Sequence, residues 1–173
     1  MAAGLRAGAL PLAAIALATA ALAGTPKVGR PAPDFTITTF DKQKVTRASI
    51  RGKVVVLNYW ATWCAPCKAE MPMMDAFHRR HRGEGFEIYA VTTEDSVPPR
   101  QLQRLASVLS FPLSNKIKTS SYGLIRGSVP TSYVIDRAGN IRHAKVGAFT
   151  SGEFQALILP LLREPAPGGV PAS

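Results

Sequence analysis

The chain has 173 residues, 46% of them hydrophobic and 18% charged, with a formal net charge of +10 at pH 7. That is about one domain of sequence with an ordinary core, which excludes a fibrous or intrinsically disordered chain. The positive balance suits acidic partners or an anionic membrane surface, but the charges are scattered and no nucleic-acid-binding motif is present.

Residues 1–6 carry one positive charge, residues 7–22 carry none, and Ala21-Leu22-Ala23 ends the run with a small-x-small pattern. This is the layout of a secretory signal peptide over 1–23. The run is alanine-rich and interrupted by Pro11. It falls short of the ~20 strongly apolar residues a spanning helix needs, so an uncleaved anchor is the second choice. Residues 24–33 (GTPKVGRPAP) read as a linker or extended lead-in to a domain over 34–164. Residues 165–173 (PAPGGVPAS) read as a flexible tail.

Within the domain, FTITTF (35–40), the turn DKQK and then VT suggest a small hairpin. VVVLNYW (54–60) is a continuous apolar run, as in a strand covered on both faces. Residues 65–82 are helical in composition, with Met71, Met74 and Phe77 at apolar spacing and a kink predicted at Pro72. FEIYAVT (86–92) is a second buried strand. Leu102, Leu105 and Leu109 mark a helix over 100–109 that opens after Pro98 and Pro99. The stretch from there to residue 130 reads as loop. TSYVID (131–136) and IRHAKVG (141–147) flank a tight turn, and a last helix over 152–163 opens on the capping-box pair Thr150 and Glu153. A βαβ unit followed by an antiparallel pair predicts an α/β fold: a central mixed sheet with helices on both faces, plus an added N-terminal hairpin.

Cys64 and Cys67 are the only cysteines. After export, disulfides persist. A bridge across so short a loop adds little by chain entropy, so a structural staple explains the spacing poorly. Zinc in a structural site wants about four ligands and the pair supplies two. His78 and His81 lie roughly 20 Å down the same helix at 1.5 Å per residue, and His143 is isolated. FHRRHR (77–82) reads as a solvated helix face. Two-coordinate Cu(I) needs only two thiolates, so a Cu(I)-binding module remains the alternative.

The pair falls where a buried strand gives way to a helix. A helix N-terminus carries unpaired N–H groups and about half a positive charge, which stabilises a thiolate. Cys64 is expected at the N-cap, exposed and attacking. Cys67 lies on the same face three residues on and resolves the mixed disulfide. Pro66 rigidifies the first turn without losing a hydrogen bond.

WCAPC at such a junction resembles the thioredoxin superfamily. With the signal-like N-terminus, GRPAPDFTI, VVVLNYWATWCAPCKAEMP and GSVPTSYVIDRAGNI, the chain is similar to the TlpA/ResA-like branch of extracytoplasmic bacterial thiol–disulfide oxidoreductases. The resemblance implies a thioredoxin-like three-layer fold with Cys64 attacking and Cys67 resolving. It places Trp63 beside the sulfur and Trp60 behind the site. Pro130 matches a cis-proline facing the disulfide, and Val129 would pair its backbone with a substrate strand. Trp63, Pro66, Val129 and Pro130 thus form the substrate-binding set. Asn58 stands where thioredoxin itself has a buried aspartate, and Glu70 matches the acid that takes a related proton-accepting role in this branch. Ala65-Pro66 lacks the histidine of strong oxidants, favouring a reductase. The resemblance also implies a monomer that needs no cofactor, re-reduced by a membrane thiol relay. Its substrates would be disulfide-bearing proteins, such as apocytochrome c haem-site thiols or copper-site cysteines in oxidase assembly. A peroxidase is disfavoured, because W-A-T-W precedes Cys64 in place of the P-x-x-x-T-x-x-C setting.

Overall fold

The structure is a computed structural model that describes residues 26–168. The signal peptide expected over 1–23 and the end of the expected tail lie outside the described residues. The elements run β1 (Phe35–Thr39), β2 (Lys44–Thr46), β3 (Val54–Trp60), α1 (Ala65–His81), β4 (Phe86–Thr92), α2 (Pro99–Ala106), β5 (Leu113–Thr119), β6 (Thr131–Ile135), β7 (Ile141–Val146) and α3 (Ser151–Arg163). Seven strands form one mixed sheet in the order β2-β1-β5-β4-β3-β6-β7. β3 pairs parallel with β4 and antiparallel with β6, which places it inside the sheet.

Every residue of β3 is buried, which is why it reads as an unbroken apolar run. Val54, Val56 and Trp60 face a core built with Met71, Met74 and Phe77 of α1, Leu102 of α2, and Phe154 and Ile158 of α3. Val55, Leu57 and Tyr59 point the other way, toward Ile37, Ile50, Tyr89, Tyr133 and Ile135. The mixed sheet and three layers stand as predicted, but the two outer layers differ. All three α-helices contribute to the first core. The second face is covered by short 3₁₀ turns through Ile50 and Ile125, and by Tyr122.

β5 corrects the expectation of a loop. Lys116 and Lys118 point outward and break the apolar pattern, while Leu113 and Ile117 face inward. The strand closes its ladder with β1 through five register pairs and touches β4 through only two. The N-terminal hairpin thereby joins the sheet through β5. α1 continues uninterrupted through Pro72, although the ring removes one N–H from the ladder. The lead-in is pinned along β7: Gly29 N–H donates to the Ile141 carbonyl at 2.8 Å and Ile141 N–H to the Arg30 carbonyl at 2.9 Å. α3 opens on the predicted capping box, with Glu153 N–H donating to Thr150 Oγ1 at 3.2 Å.

Candidate active site

β3 delivers the chain into a short turn, Ala61-Thr62-Trp63, before α1. Three contacts hold this turn. Cys64 N–H donates to the Ala61 carbonyl at 3.1 Å, and Thr93 N–H donates to the Trp60 carbonyl at 3.0 Å. Glu94, between β4 and α2, accepts from both the backbone N–H and the hydroxyl of Thr62, the latter at 2.9 Å. Cys64 is the N-cap of α1, in extended backbone. Its sulfur accepts the Cys67 N–H at 3.2 Å. The first turn holds no acidic side chain, so nothing there opposes the positive helix end.

Cys64 and Cys67 form a disulfide with Cα atoms 5.3 Å apart. Cys64 is only 3% exposed, against the expectation of an exposed sulfur. Bonded to Cys67, it lies in the buried cluster containing Trp60 and Phe149. Exposure at the site belongs to its neighbours: Trp63 is 68% exposed, and Ala65 and Pro66 are also at the surface. Trp60 is buried, as an aromatic behind the site should be.

The Val129–Pro130 bond is cis. Thr131 pairs with Tyr59, so Pro130 lies next to the end of β3 from which the cysteine turn departs. The Pro130 carbonyl accepts Gly147 N–H at 2.9 Å, while Val129 precedes the β6 register and packs against the core.

Glu70 is 3% exposed, one turn beyond Cys67. Its Oε1 accepts from Asn58 Nδ2 at 3.0 Å and its Oε2 from Phe149 N–H at 2.8 Å. Burial pushes its carboxyl above the ordinary value. The Phe149 N–H, the Asn58 amide and the Lys145 charge oppose the rise without cancelling it.

A family model described as AhpC/TSA family matches residues 28–144. Thiol-disulfide oxidoreductase ResA of Bacillus thuringiensis subsp. konkukian (strain 97-27) is 33% identical over 135 residues, covering 75% of this chain and 75% of that protein. Thioredoxin-like protein YneN of Bacillus subtilis (strain 168) is 32% identical over 131 residues, covering 73% of this chain and 76% of that protein. Among solved structures, a thiol:disulfide interchange protein of the thioredoxin family from Chlorobium tepidum TLS superposes with a TM-score of 0.63 at 27% identity, covering 77% of this chain and 96% of that one. The chain belongs to the TlpA/ResA-like branch of the thioredoxin superfamily.

Within this TlpA/ResA-like site the structure gathers Trp63, Cys64, Pro66, Cys67 and Glu70 on one turn and helix, with Val129 and Pro130 in the bend just before β6. The histidines of FHRRHR stay apart from it. His78 is buried between Ser110 Oγ at 2.8 Å and Glu87 at 3.3 Å, and His81 meets Glu84 at 2.9 Å. Among the described residues no three His, Cys, Asp or Glu side chains converge as a ligand set. Glu94, Ser132 and the Phe149 amide escape sequence reasoning. Each lies at least thirty residues from the group it holds and has no local signal.

Proposed function

We propose that this protein is an extracytoplasmic thiol–disulfide oxidoreductase that reduces protein disulfides through Cys64 and Cys67. The observation that carries this is the disulfide at the α1 N-cap, with the Cys67 N–H aimed at the Cys64 sulfur. In the reduced protein the same N–H and the helix end stabilise a Cys64 thiolate. That thiolate attacks a substrate disulfide, forms a mixed disulfide and expels one substrate thiolate. Cys67 gives its proton to Glu70, and its thiolate then attacks the Cys64 sulfur and expels the second substrate thiolate. Two electrons pass to the substrate, one proton reaches its thiols from Cys67 by way of Glu70 and one from solvent, and the Cys64–Cys67 bond is restored. A membrane thiol relay returns the two electrons.

Exported location is supported by the signal-like layout of residues 1–23. Among the described residues no helix is long and apolar enough to cross a membrane. Ala65-Pro66 adds no charge to favour the reduced state, which supports a potential near thioredoxin's about −270 mV over an oxidant's about −120 mV. The family resemblance points to cytochrome c maturation or oxidase copper-site assembly as the setting. Dithiothreitol-driven insulin reduction tests the activity: wild type should turn over and Cys64→Ser should be inactive. Equal activity in the variant would refute the proposal. Cys67→Ser should accumulate mixed disulfides, and these identify the substrates.

A further inference from the structure

Four segments of the chain meet at one buried carboxylate. Glu70 comes from α1, Asn58 from β3, Ser132 from β6 and the Phe149 amide from the loop after β7. Asn58 and Ser132 are directly paired across the β3–β6 ladder, so they project to the same face of the sheet. Asn58 is 1% exposed and Ser132 is 0% exposed. Asn58 Nδ2 donates to Glu70 Oε1 at 3.0 Å and to Ser132 Oγ at 2.9 Å. Both hydrogens of that amide are therefore committed. The carboxylate fixes the amide's orientation, because the reverse would set a carbonyl against Oε1, acceptor to acceptor.

This arrangement gives Glu70 a direction. Both of its oxygens face donors, Asn58 on one side and Phe149 on the other. A proton arriving at Glu70 has no acceptor toward either group. It must occupy lone pairs those donors leave free, on a helix face shared with Cys67 three residues earlier. Without Ser132, the second amide hydrogen loses its acceptor, and the amide is free to turn its carbonyl to Glu70 once the acid is protonated.

We propose that Asn58 and Ser132 are positioning residues that orient Glu70 for proton transfer with Cys67, and that what the site requires is one acid and one amide across the 58–70 hydrogen bond. This rests on the role given to Glu70 above. The hydrogen bonds have a polarity that can be reversed as a unit. In Asn58→Asp/Glu70→Gln, the glutamine carbonyl still accepts from Phe149, its amide donates to the new carboxylate at position 58, and Ser132 turns its hydroxyl to donate. The proton transferred is unchanged: Cys67 loses it to become the attacking thiolate, the buried carboxylate accepts it, and the departing substrate thiolate takes it up.

The test compares full-chain wild type, Glu70→Gln and the double variant in reducing a peptide disulfide, with rates recorded across pH. Glu70→Gln should lose about 10²-fold, the scale of one acid–base group. The double variant should recover at least about tenfold over Glu70→Gln, with a titrating acid restored to the pH–rate profile. A folded double variant no faster than Glu70→Gln overturns the proposal while leaving the role of Glu70 intact. Full activity in Glu70→Gln overturns that role and this proposal with it. Ser132→Ala supplies an answer that does not depend on the double variant folding. It should raise the pH midpoint of the reaction with KM unchanged, because the amide is no longer held as a donor to the carboxylate. An unmoved midpoint refutes the positioning role.

Discussion

Replacing Glu70 by glutamine should change stability in a way that depends on pH. In the folded protein burial holds the Glu70 carboxyl above its ordinary value of 4.5, while the unfolded chain titrates near that value. Between the two the folded state binds more protons than the unfolded one. The stability of the wild type therefore falls as pH rises through this window and stays lower above it, by about 1.36 kcal/mol for each unit the folded carboxyl is raised. Glutamine does not titrate, so the variant escapes this loss. It has its own fixed cost. The Phe149 N–H keeps an acceptor, but the new amide faces Asn58 Nδ2 donor to donor, so the 58–70 hydrogen bond is lost unless Asn58 rotates and Ser132 turns its hydroxyl to donate. One such bond is worth about 1 kcal/mol and does not vary with pH. Urea unfolding of the oxidised protein, in which the cysteines do not titrate, should show the variant less stable than wild type near pH 4 and gaining on it as pH rises. A difference constant from pH 4 to pH 8 would show that Glu70 is not held as described, and a variant that loses ground with pH would reverse the sign of the argument.

Two further outcomes test the scaffold around the site. Glu94→Ala leaves the Thr62 N–H and hydroxyl without their shared acceptor. It should cost about 1–3 kcal/mol in urea unfolding and slow disulfide reduction, and an unchanged rate would show that the turn before Cys64 needs no clasp. Phe154→Ala removes a ring that is 0% exposed and packs edge-on to Phe77 at 5.2 Å and against Phe149 at 5.3 Å. It should cost about 3–5 kcal/mol, and a loss under about 1 kcal/mol would mean that the aromatic cluster is not packed as described.

Much of this was legible in the sequence where local rules operate. The apolar run of β3, the 131–147 hairpin and the Thr150 cap are settled by residues close together in the chain. So is the cysteine pair at a strand-to-helix junction, since a helix N-terminus follows from position along the chain. β5 was hidden because its lysines face outward, and its ladder is completed by β1, more than seventy residues earlier. The exposure expected of Cys64 also failed. Helix position predicts which sulfur caps the helix, but not what the rest of the fold lays over it.

The sequence by itself determined the chemistry available: two thiols on one helix face, and an acid one turn beyond them. Only the tertiary structure decided the state of that acid. Burial is imposed by segments far away in the chain, here Asn58 and Ser132 from the sheet and Phe149 from the last loop. The desolvation they cause raises the Glu70 carboxyl, and the donors they aim at it hold that rise back without cancelling it. Spacing along a helix can say which way a side chain faces, but it cannot say whether water or another strand waits there.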